Sequence, residues 1–127
     1  MNKIHDCIIN RNSTFIPVLF MRQAGRYLPE FRKIREKNQN FIKLCLNPDL
    51  VTEITLQPTK RFDLDAAIIF SDILMIPHGL SQNVNFKKNF GPELGDLDLD
   101  KIINITSEHF INKLKPVYEG IRKVRQT

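Results

Sequence analysis

Two short, continuous apolar runs stand out in the first two thirds of the chain. They cover Phe15–Met21, with the sequence FIPVLFM, and Asp65–Phe70, with the sequence DAAIIF. Apolar runs of this length are typical of strands that are buried on both faces in a parallel sheet. The pattern therefore predicts two buried parallel strands, with Pro17 near the start of the first, where its missing N–H does least harm.

Polar and amphipathic stretches next to these runs predict helices. Lys3–Ile9 and Asn40–Leu46 each predict a short helix, and Leu28–Lys37 predicts a helical turn. The sequence Asn47–Asp49 offers a capping side chain, a proline at the first helical position and an acid in the first turn. We therefore expect a longer crossover helix that starts there and runs towards Arg61.

Prolines and turn residues mark the remaining boundaries. Pro58 lies inside the predicted crossover helix and predicts a kink or a break there. The tail Thr106–Gln126 predicts one helix or two, with Pro116 as a starting or kinking point. The stretch Pro77–Gly95 is loop-like, although residues 84–86 alternate between apolar and polar and predict a small strand.

The predicted order is strand, crossover helix, strand, long loop and helix. This order is typical of α/β proteins with a parallel sheet. Two strands alone do not make a stable parallel sheet. On physical grounds, we expect the 127 residues to be part of a larger domain, without an internal linker that would divide them in two.

Composition narrows the class of protein. The chain is 42% apolar and 26% charged, which indicates a soluble, globular protein. Its net charge of +5 suits an anionic partner such as nucleic acid, a membrane surface or a polycarboxylate, but equally a solvated surface. The two cysteines, Cys7 and Cys45, are far apart and predict free thiols in a reducing cytoplasm. No apolar run predicts a secretory signal or a membrane span.

Several familiar sites are not supported by the sequence. Asp96, Asp98 and Asp100 resemble the opening of a calcium loop, but Lys101 and Ser107 stand where glycine and glutamate are required. The three histidines lack metal-ligand spacing. Phosphate-loop, dinucleotide and nucleophile-elbow motifs are absent, and the basic residues do not follow a nucleic-acid-binding pattern. We therefore predict neither a metal site nor a nucleic-acid interface.

Polar residues follow each predicted strand. Arg22–Arg26, with the sequence RQAGR, comes directly after the first run, and Ser71 and Asp72 follow the second. In α/β folds, sites gather at the C-terminal ends of the strands. Two arginines around a glycine can donate to carboxylates or phosphates, and Asp72 occupies a common catalytic place. Each segment alone is equally compatible with a solvated loop or a helix cap.

Together, the two segments resemble the signatures of the uroporphyrinogen decarboxylase family. Pro17–Arg35, PVLFMRQAGRYLPEFRKIR, and Ile54–Leu80, ITLQPTKRFDLDAAIIFSDILMIPHGL, are similar to its two substrate-site segments, and their spacing also fits. The resemblance implies the N-terminal part of a single (β/α)8 TIM barrel, incomplete in residues 1–127. It implies removal of four carboxyl groups from uroporphyrinogen to give coproporphyrinogen in haem biosynthesis. It also implies no cofactor, no nucleic-acid or membrane partner, and a cytoplasmic homodimer for the complete enzyme.

The resemblance also implies roles for individual residues. Six residues of the first segment are expected to bind the tetrapyrrole polycarboxylate: Arg22, Gln23, Ala24, Gly25, Arg26 and Arg35. The arginines would bind carboxylates, and the residues between them would shape the loop and offer backbone N–H groups. Asp72 would bind substrate and act in catalysis, because its carboxylate can accept pyrrole N–H groups and stabilise the cationic pyrrole.

The sequence departs from the family pattern in a few places. Leu19 replaces a usual aromatic residue, His78 and Gly79 replace a usual Gln-Ala pair, and Gln82–Gly91 is rich in asparagine. The family's later site residues, a tyrosine, a serine or threonine and a C-terminal histidine, have no counterparts here. A barrel of this type typically needs about 250 residues. We therefore expect little or no activity from these residues alone.

Two alternatives remain open from the sequence. The chain could be a non-catalytic remnant or one half of a split enzyme that needs a partner chain. A related corrinoid-dependent methyltransferase barrel is less well supported, since its usual zinc site of histidine and cysteine is not found in this sequence.

Overall fold

A computed structural model of the chain describes residues 3–11, 14, 16–21, 23–87 and 91–127. Within these ranges the protein is mixed α/β, with helices and one small antiparallel sheet. The elements in chain order are α1 (Lys3–Asn10), α2 (Pro29–Lys37), α3 (Phe41–Cys45), α4 (Pro48–Phe62), α5 (Met75–Gly79), β1 (Val84–Lys87), β2 (Gly91–Leu94), α6 (Leu99–Ile103) and α7 (Ser107–Gln126).

The predicted helices are confirmed, and side-chain caps explain where α3 and α4 begin. The Asn47 side chain accepts the N–H groups of Asp49 and Leu50, both at 3.1 Å, at the start of α4. In the same way, the Asn40 side chain accepts the Lys43 N–H at 2.9 Å at the start of α3. Each cap satisfies backbone donors that a helix start otherwise leaves unpaired.

The prolines do not interrupt their helices. α4 runs from Pro48 to Phe62 through Pro58, and α7 continues through Pro116. The break predicted as one possibility at Pro58 was therefore wrong, and the tail forms one helix, the first of its two predicted alternatives; a kink at either proline stays a prediction. The ring of Pro58 is fully buried, and this packing offsets the one backbone hydrogen bond that a proline removes.

The two predicted strands are not formed among the described residues. Phe15, the first residue of the first predicted strand, lies outside those residues, and 16–21 and 65–70 have no regular secondary structure. Their prediction as strands buried on both faces was wrong, since Ile16 is 88% exposed and Met21 86% exposed. A strand needs backbone partners, and the chain does not supply a ladder for either segment.

The two segments are joined by one backbone hydrogen bond and by side chains instead of a ladder. The Asp65 carboxylate accepts the Val18 N–H at 2.8 Å, and the Asp65 N–H donates to the Val18 carbonyl at 3.1 Å. Asp65 also forms an ion pair with Lys3 of α1 at 2.7 Å. The hydrogen bonds from Lys3 and Val18 hold the pKa of Asp65 below its usual value. Asp65 thus ties α1 and both extended segments together.

The stretch predicted as a long loop contains more structure than expected. The small strand predicted at 84–86 is confirmed as β1, which pairs antiparallel with β2, a strand that the sequence did not predict. The register places Val84 opposite Leu94 and Phe86 opposite Pro92. Helices α5 and α6 were also not predicted. The Asp98 side chain accepts the Lys101 N–H at 3.0 Å, so Asp98 caps α6.

The core lies where α2, α3 and α4 meet, and α7 packs on α4 and α5. One buried cluster consists of Leu28, Phe31, Leu44 and Ile54, and a second of Cys45, Met75 and Leu114. The packing between α5 and α7 is close at Gly79, where a Cβ atom would lie 2.6 Å from the ring of Phe110. This core supports the segment 70–74, which leads into α5.

Thr55 of α4 anchors the end of the second extended segment. Its fully buried side chain accepts the Phe70 N–H at 2.9 Å through Oγ1. We expect Thr55→Val to lower the free energy of unfolding by about 1–3 kcal/mol, because the isosteric valine leaves the Phe70 N–H without this acceptor. Urea denaturation of the purified chain measures this loss.

Thr55→Ser is the matched control for this prediction. Serine keeps the hydroxyl acceptor and removes only a methyl group, so a loss of about 1 kcal/mol is expected. If the valine variant were as stable as the parent chain, the hydrogen bond to Phe70 would not hold the segment in place.

Candidate functional site

One cavity brings together three of the residues that the sequence predicted as a site. Its volume is about 390 Å³, which lies within the range of small-molecule pockets. Arg26, Arg35 and Asp72 supply its charged walls. Apolar walls come from α2, α3, the segment before α5 and the β1–β2 hairpin. We refer to it as the Asp72 cavity.

Asp72 is held at the entrance to α5. Its Oδ1 atom accepts the Leu74 N–H at 2.9 Å, and its carbonyl accepts the Met75 N–H at 3.1 Å. Within the described part of the chain, no hydrogen bond engages Oδ2. The side chain is half-buried. One oxygen therefore fixes the turn, and the other remains available to accept N–H groups from a ligand.

Arg35 lies in the last turn of α2 with its guanidinium fixed on one side. Nη1 donates to the Asn38 carbonyl. It also donates to the Gln39 carbonyl at 3.0 Å. The guanidinium carbon also lies 5.4 Å from the centroid of the Phe41 ring, which is a cation–π contact. No hydrogen bond to another described residue engages Nε or Nη2. Arg35 can therefore offer the remaining donors to a carboxylate.

Arg26 is exposed and lines three neighbouring cavities. Besides the Asp72 cavity, it lines one of about 350 Å³ with Arg32 and Arg35, and one of about 400 Å³ with Gln23, Ala24 and Gly25. Its guanidinium has no hydrogen bond to another described residue. The Arg32 Nη1 atom donates to the Arg26 carbonyl at 2.9 Å and holds this loop.

The side chain of Gln23 serves the fold. It is only 3% exposed; Nε2 donates to the Ala66 carbonyl at 2.9 Å, and Oε1 accepts the Ile68 N–H at 2.8 Å. Gln23 thus connects the loop of residues 23–26, which we refer to as the arginine loop, to the segment that ends at Asp72. Both ends of the amide are engaged by the backbone of residues 66–68. No local signal in the sequence predicted this structural role.

The backbone around Gly25 does not require a glycine. Its φ angle is not in the left-handed region, and an added Cβ atom would meet the Tyr27 ring at an ordinary distance of 3.5 Å. Arg22 lies outside the described residues, so its place in the site stays a prediction.

Buried Cys45 lies close enough to the site to sense its charges. Burial, and to a lesser extent the Asp72 carboxylate, raises the pKa of the thiol to about 12, while Arg35 opposes the shift. The thiol is therefore protonated at neutral pH and is not a nucleophile. The described ranges hold no group of three or more His, Cys, Asp and Glu residues arranged for a metal ion. No described helix is long and apolar enough to cross a bilayer.

The sequence did not reveal that the β1–β2 hairpin forms a wall of the cavity. Phe86, Gly91 and Pro92 line the Asp72 cavity together with Phe41. The alternation at 84–86 indicated a strand, but the sequence GPEL of β2 contains a proline and a glycine, which argue against a strand. The aromatic contact of Phe86 with Phe41 depends on tertiary packing.

Comparisons with known proteins agree with the resemblance found in the sequence. The sequence model of the uroporphyrinogen decarboxylase family matches residues 3–127. A protein of Rickettsia felis named uroporphyrinogen decarboxylase is 51% identical over 118 residues, which are 93% of this chain and 34% of that protein. Proteins of the same name from Brucella ovis and Brucella canis are each 49% identical over 110 residues, 87% of this chain and 32% of theirs.

The chain thus spans about a third of the length of the curated relatives that it matches. The match nevertheless covers nearly all of its own residues, including the arginine loop and Asp72. The chain belongs to the uroporphyrinogen decarboxylase family.

Proposed function

We propose that this chain carries a substrate-binding part of a uroporphyrinogen decarboxylase, which converts uroporphyrinogen to coproporphyrinogen by removing four carboxyl groups. The observation that carries this proposal is the Asp72 cavity, where Arg26 and Arg35 share one pocket with a half-buried carboxylate. Cations around an acid suit a ligand with carboxylates at its rim and N–H groups at its centre. The names of the relatives point to the same substrate.

The arginines bind and orient the substrate in this proposal. Arg35 offers a guanidinium that Phe41 and two carbonyls already hold in place. Arg26 offers a second guanidinium, and Arg22 is expected to add a third. Bound carboxylates at several points fix the macrocycle in one orientation, which brings the reacting acetate group to a defined position.

Asp72 acts on the charge that develops during the reaction. Protonation of a pyrrole carbon gives a cation, which takes up the electron pair of the breaking C–C bond as CO₂ leaves. A second proton then converts the remaining methylene to a methyl group, and the ring carbon releases the first proton, which restores the pyrrole. The free Oδ2 atom of Asp72 accepts pyrrole N–H groups and stabilises the cation. Because the protonated ring itself accepts the electron pair, this route uses neither a metal nor an organic cofactor.

We further propose that residues 1–127 are the first part of a single (β/α)8 barrel. The exposed apolar side chains of residues 16–21 support this proposal, because a barrel would cover them with neighbouring strands and helices. A homodimer of the complete enzyme and a cytoplasmic location belong to the same proposal. The free thiols of Cys7 and Cys45 are compatible with that compartment.

A chimaera tests the proposed function. In it, this chain replaces the aligned third of the Rickettsia felis relative. We expect the chimaera to form coproporphyrinogen from uroporphyrinogen at a rate of the same order as that relative, measured by chromatography of the oxidised products. The relative without its aligned third is the negative control. A chimaera that folds, as shown by circular dichroism, but does not turn over uroporphyrinogen would contradict the proposal.

The exposed apolar segment favours a second candidate, in which the chain is one half of a split enzyme. Val18, Leu19 and Phe20 are each about half exposed, and apolar surface of this kind often marks an interaction site. A separate chain that carries the rest of the barrel would cover it. Mixing this chain with a chain that carries the rest of the barrel, and measuring turnover of uroporphyrinogen, distinguishes this candidate from a non-catalytic remnant.

A further inference from the structure

The β1–β2 hairpin places the aromatic side chain of Phe86 at the Asp72 cavity rather than in the buried core. Phe86 is 42% exposed and belongs to neither buried cluster. Its ring contacts that of Phe41, with the centroids 5.2 Å apart and the planes at 64°. Phe86 and its cross-strand partner Pro92 both line the Asp72 cavity. The contact thus places the hairpin against the candidate site.

Phe41 connects this hairpin contact to the charged residues of the site. The same ring carries the guanidinium of Arg35 at 5.4 Å. It also makes an edge contact with Phe70, with centroids 6.0 Å apart, and Phe70 lies two residues before Asp72. One ring therefore touches the hairpin, the arginine and the segment that leads to the acid.

We propose that Phe86 is a positioning residue for Arg35, and this inference rests on the proposed function of the Asp72 cavity. The Phe86 ring holds Phe41, and Phe41 holds the guanidinium at the cavity wall. The carbonyls of Asn38 and Gln39 engage only Nη1, so the aromatic face is needed to fix the plane of the group. A guanidinium held in one geometry loses less freedom when it binds a carboxylate.

Chemical labelling of the purified chain tests the positioning itself. Phenylglyoxal modifies accessible guanidinium groups, and mass spectrometry of peptides reports each arginine separately. We expect Phe86→Ala to increase the labelling of Arg35 several-fold relative to exposed Arg61, which forms an ion pair with Glu30 away from the hairpin. Phe86→Tyr keeps the ring and should label like the parent chain.

Leu94→Ala is the matched control. Leu94 lies on the same hairpin opposite Val84, is 49% exposed and does not line the Asp72 cavity. We expect its labelling pattern to match that of the parent. Unchanged Arg35 labelling in Phe86→Ala, or an equal increase in Leu94→Ala, would overturn the proposal, because the ring would then have no specific effect on the arginine.

Kinetics of the chimaera test whether the positioning matters for substrate. Arg35 would bind a carboxylate that is present in the substrate and in the transition state alike, so Phe86→Ala should raise KM roughly five-fold and leave kcat nearly unchanged. In an Arg35→Ala background the same substitution should have little further effect. Equal effects in both backgrounds would overturn the role through Arg35.

The two experiments separate the two proposals. If the parent chimaera has no turnover, the proposed function fails, and the labelling of Arg35 alone decides whether Phe86 positions it. If the chimaera is active and Phe86→Ala changes neither labelling nor KM, only the inference about Phe86 fails.

Discussion

Asp72→Asn in the chimaera is expected to reduce turnover of uroporphyrinogen by roughly 100- to 1,000-fold, the size of loss seen when one preorganised electrostatic group is removed from an active site. Asparagine has nearly the same shape as aspartate, and its carbonyl oxygen can still accept the Leu74 N–H that Oδ1 accepts at 2.9 Å. The turn into α5 should therefore be retained. What is lost is the negative charge that, in the proposed mechanism, faces the cationic pyrrole.

The kinetic signature distinguishes this loss from a loss of binding. If Asp72 stabilises the cation that forms during the reaction, kcat and kcat/KM should fall together, whereas KM should change little. The control is Asp96→Asn, an exposed acid outside the Asp72 cavity, which should leave both constants unchanged. Turnover close to that of the parent chimaera would remove Asp72 from its proposed catalytic role.

Local signals in the sequence predicted α1, α2, α3, α4 and α7, but not the short helices α5 and α6. At α4, the cap, the proline at the first position and the acid in the first turn all act within one turn of the helix. The structure accordingly shows Asn47 bonded to the two N–H groups that follow. Pro58 was predicted to kink or break α4 because a proline removes a backbone hydrogen bond. Burial of its ring in the core offsets that loss, and this burial depends on residues distant in the sequence.

The two apolar runs were wrongly predicted as strands, because local composition does not show whether a partner strand lies beside them. Their composition indicated strands, but a strand exists only where another backbone lies beside it. In this chain the Asp65 carboxylate and the Gln23 amide supply part of that hydrogen bonding. Nothing in the local sequence of either residue distinguishes such a bridge from a surface side chain. The second strand of the hairpin, β2, was not predicted either, because Pro92 within it argues against a strand.

The site itself was predictable in part. The argument from strand ends, combined with the resemblance, named Arg26, Arg35 and Asp72, and the structure brings these three together in one cavity. The contact of Arg35 with Phe41 could not be derived, because helices α2 and α3 must first pack at a particular angle. The surroundings of the site therefore depend on the fold, although its charged residues were visible in the sequence.

The purified 127-residue chain is expected to show no measurable decarboxylation of uroporphyrinogen on its own. The Asp72 cavity of about 390 Å³ offers two described arginines, whereas the substrate carries eight carboxylates. Ile73 and Phe86, which line the cavity, are 87% and 42% exposed, so the pocket does not exclude water, which weakens every electrostatic interaction with the reacting group. An assay that monitors the formation of coproporphyrinogen by chromatography over several hours measures the activity of the chain directly.

Adding the remainder of a relative should give activity if the chain can act as half of an enzyme. The partner is the remainder of the Rickettsia felis relative, beyond the third that aligns with this chain. Neither part alone should turn over substrate, and the mixture should do so at a rate that rises with the concentration of either part. Arg26→Ala in the chain should weaken the mixture's activity, which ties any recovery to this site. Turnover by the chain alone would contradict the expectation and show that the described cavity suffices for catalysis.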